Sequence, residues 1–167
     1  IALYPKNEPE GKAVAEARIA PDKTERDVML KTDFKGLHRI ELSDRMAGST
    51  LAWTDGRPMT VLSSPDAPAS FQGRWTAYFY VPKGTKIIGG YASGSGLLLD
   101  GSGKTTHTFP PKEAYFSVLV PAGQDGKLWK FQNSVGQRLL MTTPPYLARD
   151  AKELLLPAEV VEKDAAK

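Results

Sequence analysis

The side chains in this sequence that could do chemistry begin with two histidines, His38 and His107. A nucleophilic triad needs a base beside an activated hydroxyl or thiol. Each histidine falls in a strand-like run with no supporting motif, and Gly94-Ser95-Gly96 lacks the wider glycine-x-serine-x-glycine elbow of a hydrolase. A tight turn explains that triplet, since Gly and Ser suit turns. The imidazoles also lack the His-x-His or His-Glu-x-x-His spacing of a metal site. Cysteine is absent, which removes thiolate ligands, disulfides and a cysteine nucleophile together.

The acids are no better grouped. Asp100-Gly101-Ser102-Gly103 and Asp125-Gly126 could lend oxygens to a structural calcium ion, yet neither matches a loop with the six or so oxygens calcium takes. Glu41 and Glu113 are the carboxylates near strand interiors, where a solvated sheet face accounts for them. No cofactor is expected, and no catalytic centre.

The aromatics offer a different chemistry. A sugar is recognised by a flat apolar surface against the C–H face of its ring, with polar groups nearby for the hydroxyls. In the run from Trp75 to Val81, Trp75, Ala77, Phe79 and Val81 alternate with Thr76, Tyr78 and Tyr80, so one set faces a core and the other faces away. The phenol-bearing set is the better one for solvent, and Tyr78 and Tyr80 are therefore candidate ligand contacts. Tyr91 and Tyr115, in neighbouring strand candidates, could extend the same face. Trp53, just before the Asp55-Gly56 turn, could sit at a sheet rim. Trp129 and Phe131 read as core.

These residues need strands to hold them. Short runs at 12–19, 27–31, 37–42, 49–53 and 59–63 are separated by Gly, Pro and Asp, and clearer ones follow at 75–81, 86–92, 97–100, 104–109, 115–120, 128–133 and 138–142. Gly101-Ser102-Gly103 and Gln124-Asp125-Gly126 suit tight turns. Asp150-Ala151-Lys152-Glu153 has capping-box spacing ahead of three leucines, which predicts a short C-terminal helical turn. The charged, alanine-rich residues after 158 read as a frayed tail. The expected organisation is a lead-in segment or linker over 1–11, a β-sandwich domain over 12–145, and a helical turn and tail over 146–167. A boundary at 65–73, rich in Pro, Ala and Ser, is the alternative if the first part is separate.

With 167 residues, 41% hydrophobic and 25% charged, the chain has the composition of one ordinary domain with a core of its own. Its 22 basic and 19 acidic side chains leave a net charge of +3, but the basic residues are scattered rather than interleaved with aromatics. No nucleic-acid groove is expected. No apolar run approaches the roughly 20 residues of a membrane span, and the absence of an initiator Met suggests a piece of a longer, processed protein.

The stretch from Tyr78 onward carries Tyr-Phe-Tyr-Val-Pro-Lys-Gly-Thr-Lys at 78–86, Leu-Leu-Asp-Gly-Ser-Gly-Lys at 98–104 and Val-Pro-Ala-Gly-Gln-Asp-Gly-Lys-Leu-Trp-Lys at 120–130. With Pro-Pro-Tyr-Leu at 144–147 and Leu-Leu-Leu-Pro at 154–157, it resembles the C-terminal galactose-binding-type β-sandwich region of large secreted proteins from planctomycete-like and other environmental bacteria. Residues 34–42 are more loosely similar to pre-peptidase-type or galactose-binding-type sandwiches. The resemblance implies an accessory role beside a polysaccharide-processing body, in a secreted or periplasmic setting. The resulting expectation is an all-β, two-sheet antiparallel sandwich of jelly-roll or galactose-binding-like type, acting as a non-catalytic carbohydrate-binding module. Its partners would be a polysaccharide or oligosaccharide and other domains of a larger parent chain. A module that only packs against its parent, with no free glycan ligand, is the alternative.

Overall fold

The computed structural model describes residues 1–5, 11–44, 49–53 and 57–166; Pro9 of the expected lead-in segment and the Asp55-Gly56 turn lie outside them. Strand outweighs helix, 36% against 7% of residues, which makes the chain all-β. Among the described residues no helix is long and apolar enough to cross a membrane. The chain divides into two compact units, Ile1–Trp53 and Thr54–Lys167, rather than running as one sandwich over 12–145. The Pro- and Ala-rich stretch at 65–73 is no boundary, because Ala69 inside it bridges to Arg138.

In the first unit, β1 (Ala2–Pro5), β2 (Ala15–Glu16) and β3 (His38–Glu41) form an antiparallel sheet with β1 in the middle. The opening residues are thus a central strand where a linker was expected. Pro5 is tolerated at the end of that strand. Leu3 is the one buried apolar side chain among the unit's described residues, so polar contacts carry much of its order. Arg39 lies 4.4 Å from the centre of the Tyr4 ring and 2.9 Å from Glu41. His38 is held by Gly36 and Thr32 at 2.9 and 3.2 Å. The runs at 27–31 and 49–53 form no strand. Val28 and Met29 remain exposed, leaving the first of these without the buried face that would hold it in a sheet.

The second unit is the sandwich. Its strands are β4 (Val61–Leu62), β5 (Trp75–Val81), β6 (Ile87–Ala92), β7 (Gly96–Leu99), β8 (Thr105–Phe109), β9 (Ala114–Leu119), β10 (Lys127–Ser134), β11 (Arg138–Leu140) and β12 (Tyr146–Leu147). One sheet has the order β5-β10-β7-β8, the facing sheet the order β11-β6-β9, and β12 pairs with β4 beside them. Apart from the β7–β8 hairpin, the chain from β5 to β11 crosses to the other sheet at every step, the connectivity of jelly-roll type.

Alternation fixes which residues meet between the sheets. Ala77, Phe79 and Val81 of β5 and Trp129 and Phe131 of β10 are fully buried, with Ile88 of β6 and Phe116 and Val118 of β9 opposite them. The Phe79 and Phe131 rings stack at 5.0 Å, and Phe116 meets Phe131 edge-on at 6.5 Å. Aromatic contacts of this kind fill the space between sheets roughly 10 Å apart. A bulge between Phe131 and Ser134, where Asn133 adopts a φ of +50°, bends β10 near its end.

The C-terminal residues close the unit. Asp150 caps a single 3-10 turn, Ala151–Glu153, by accepting from the Lys152 amide at 2.8 Å, as the capping-box spacing predicts. The expected frayed tail is instead a helix, α1 (Ala158–Ala165). An isolated helix this short is marginal in water. Its Asp164 is buried, accepting from the Lys83 amide at 2.6 Å and from the Tyr80 hydroxyl, and that tertiary anchor is what the local sequence could not display.

Candidate functional site

The edge strands β8 and β9 lie in different sheets and follow one another in sequence. Between them the side of the sandwich is open. A hollow of about 280 Å³ sits at one end of this opening, lined by His107 and Phe109 from β8, Phe116 and Ser117 from β9, and Lys112 and Tyr115 at its rim. His107 meets Phe109 edge-on at 4.7 Å and lies nearly parallel to Phe116 at 6.3 Å. Desolvation by these rings pushes its imidazole below the ordinary value. Neutral His107 is thus part of an aromatic wall, and no hydrogen-bond partner reaches its ring among the described residues.

Tyr115 stands on the outer face of β9 and is 78% exposed. It pairs across the sheet with Tyr91 of β6, and the two rings meet edge-on at 5.7 Å. The Tyr91 phenol is raised above its ordinary value, first by desolvation and then by the neighbouring Glu113 carboxylate. Tyr91 is half-buried, and Tyr115 projects beyond it. Farther along the same face Ile87 and Leu119 pair in register and are both exposed.

A second hollow, of about 430 Å³, lies at the other end of the opening. Asp100, Ser102 and Lys104 from the β7–β8 turn, Thr105 and Thr106 from β8, and Leu119, Pro121 and Gln124 beyond β9 line it. Asp100 is buried, and its Oδ1 accepts from the Ser102 amide, the Ser102 hydroxyl and the Lys104 amide at 2.9, 2.6 and 3.0 Å. These contacts outweigh desolvation and hold its carboxyl below the ordinary range. Asp125 similarly accepts from the Gly84 amide at 2.7 Å. Both carboxylates singled out for calcium are therefore engaged in turns, and no group of three or more His, Cys, Asp or Glu gathers among the described residues.

The five aromatic candidates separate into three places. Tyr91 and Tyr115 come together on the outer face of β6 and β9, and of the two Tyr115 lines the first hollow. Tyr78 and Tyr80 lie on the outer face of the other sheet, so Tyr91 and Tyr115 do not extend their face; β5 and β6 are consecutive in sequence but belong to opposite layers. Tyr78 and Tyr80 do point away from the core, but both are half-buried. Ala148 bridges to the Tyr78 backbone, Lys130 lies 6.0 Å from the Tyr78 ring centre, and Asp164 takes the Tyr80 hydroxyl. Trp53 is half-buried and belongs to the first unit.

Sequence reasoning missed Gln124, Ser102, Lys112 and Ser117, because turn residues and polar strand residues give no sign that two edges will face each other. It also missed Arg138. That guanidinium is fully buried with no acid paired to it among the described residues, donating through Nη1 to the carbonyls of Ser93, Val135 and Gln137 and through Nη2 to those of Gly94 and Ser95. It lies 4.6 Å from the centre of the Phe109 ring, and burial pushes its pKa down to about 10. The turn at Ser93, Gly94 and Ser95 is thus a carbonyl cradle for an arginine that lies against the Phe109 ring of the first hollow. Gly94 has a φ of +83°, and a Cβ there would lie 2.6 Å from the Val135 carbonyl oxygen, so a side chain is excluded.

Protein-family models, curated proteins and solved structures were each compared with the chain, and none of them matches it.

Proposed function

We propose that the second unit is a non-catalytic carbohydrate-binding module, and that the Tyr91–Tyr115 end of the β8/β9 opening receives the sugar. The observation that carries this reading is Tyr115, a large ring 78% exposed beside a hollow walled by His107, Phe109 and Phe116. Exposed tyrosine offers both a flat apolar face and a hydroxyl, the combination a pyranose ring requires. Ser117, Lys112 and Glu113 supply polar groups within the same neighbourhood. The resemblance to galactose-binding-type regions of secreted bacterial proteins supports the same reading, and with it a polysaccharide or oligosaccharide partner, a larger parent chain and a secreted or periplasmic location. The module would act by tethering, raising the local concentration of a polymer for its parent.

The test is retention of the purified chain on insoluble and soluble polysaccharides, neutral and acidic. Wild type should bind saturably, Tyr115→Ala should lose about tenfold or more in affinity, and Tyr78→Ala should bind as wild type does. Absence of binding to every polymer would overturn the reading.

One observation favours the packing alternative. Ile87 is 43% and Leu119 75% exposed on the same face, and paired aliphatics suit a protein surface better than a sugar. If the face docks onto the rest of a parent protein, Leu119→Ser should leave the isolated chain stable while disrupting the assembled protein.

A further inference from the structure

We infer that the β8/β9 opening is built for an extended polyhydroxylated chain, with the second hollow, at Gln124, Ser102 and Asp100, as a second subsite farther along the opening from the one at Tyr115. The inference rests on the carbohydrate reading and adds the kind of ligand, an internal stretch of polymer in place of a single terminal sugar.

The placement of the two hollows carries the first step. Along β8 the second hollow takes Thr105 and Thr106, and the first takes His107 and Phe109. On β9 the outward residue at the first hollow is Ser117 and at the second is Leu119, its next outward neighbour. The hollows therefore lie end to end along one opening. With five residues in β8 and about 3.3 Å per residue, that opening is about 17 Å long, enough for several linked rings.

The chemistry of the two ends carries the second step. The first is walled by aromatic rings, whereas the second, beside Leu119 and Pro121, gathers hydroxyl, amide and ammonium groups from Ser102, Thr105, Thr106, Gln124 and Lys104. Gln124 lines the second hollow, and its side-chain oxygen is buried with no hydrogen-bond partner among the described residues. A buried acceptor left unpaired is costly, and such groups call for an account. Its backbone is fixed independently, because the Gln124 carbonyl accepts from the Trp129 indole at 2.7 Å. The amide is thus free to turn toward a hydroxyl while the loop stays in place. Stacking at one end and hydrogen bonding at the other suit a ligand that reaches both.

The experiment is calorimetric titration with oligosaccharide series from disaccharide to hexasaccharide, β-1,4-linked glucose and α-1,4-linked galacturonate, against wild type, Gln124→Met and Tyr115→Ala. Gln124→Met keeps length and removes the amide, and its melting temperature should match wild type because the indole bond uses the backbone. In the bound series, affinity should rise with length until both hollows are spanned. Gln124→Met should then weaken the longest chains by about fivefold to tenfold and leave the disaccharide unchanged, whereas Tyr115→Ala should weaken every length. Equal affinity at all lengths, or a Gln124→Met variant that binds every length as wild type does, overturns the second subsite while leaving the Tyr115 reading intact. No binding to either series by wild type removes both.

Discussion

The two outer faces of the sandwich start from the same sequence pattern and end differently. On β5 the outward tyrosines, Tyr78 and Tyr80, are half-buried; on β9 the outward Tyr115 is 78% exposed beside Tyr91 of β6. Alternation is equally regular on both. What separates them is a residue 84 positions away along the chain, Asp164, which takes the Tyr80 hydroxyl and the Lys83 amide, while Ala148 adds two backbone hydrogen bonds to Tyr78. Outward in a strand is a local property, whereas open to a ligand depends on whatever else the chain lays over that strand.

The Tyr91 face is most vulnerable at its floor. A Cβ on Gly90 would lie 2.0 Å from the Leu139 carbonyl oxygen and 2.8 Å from the Phe116 ring, and neither the strand backbone nor a core ring can retreat that far. Gly90→Ala should destabilise the unit by roughly 3 kcal/mol or more, read as a lower urea midpoint, and glycan retention should go with it. A midpoint unchanged from wild type would mean the β6–β11 contact is looser than described.

A smaller effect sharpens the contrast from the covered side. Asp164→Ala removes the carboxylate that accepts from both the Tyr80 hydroxyl and the Lys83 amide, at a cost of about 1 to 3 kcal/mol. Hydrogen exchange at 158–165 should accelerate far more than elsewhere in the unit. If the same variant gained glycan retention that Tyr80→Ala then abolished, cover alone would account for the difference between the faces.

The smallest effect is one of pH. Desolvation, then Asp164, raises the Tyr80 phenol from an ordinary 10.0 to about 12. Folding therefore favours its protonated form, and the unfolded chain releases that proton first. The stabilisation is fully present below pH 10 and is lost as the pH climbs through about 12. The difference in stability between wild type and Tyr80→Phe should accordingly be constant up to pH 10 and shrink above it. A difference that held constant to pH 12 would place the phenol outside the Asp164 contact.

Much of the sandwich was legible because its strands have one wet face and one dry one. Trp75, Ala77, Phe79 and Val81 announced their side by period alone, and Trp129 and Phe131 declared themselves core by their neighbours. The first unit was less so: with Leu3 as its buried apolar residue, hydrophobic period has little to report there, and the strand at Ala2–Pro5 was hidden among residues that read as a linker. Tyr91 and Tyr115, expected to extend the Tyr78 and Tyr80 face, lie on the opposite sheet, because nothing in the turn after Val81 shows that it carries the chain across the sandwich.

By itself, then, the sequence determined the class of fold, the main turns, the inward and outward sets of β5, and the cap at Asp150, all of which depend on residues within a few positions of one another. Only the tertiary structure decided which edges face, that Arg138 is buried in carbonyls, that α1 docks on Tyr80, and that the β8/β9 side stands open. Those outcomes depend on pairs tens of residues apart, and the free energy that selects them resides in contacts no local window contains.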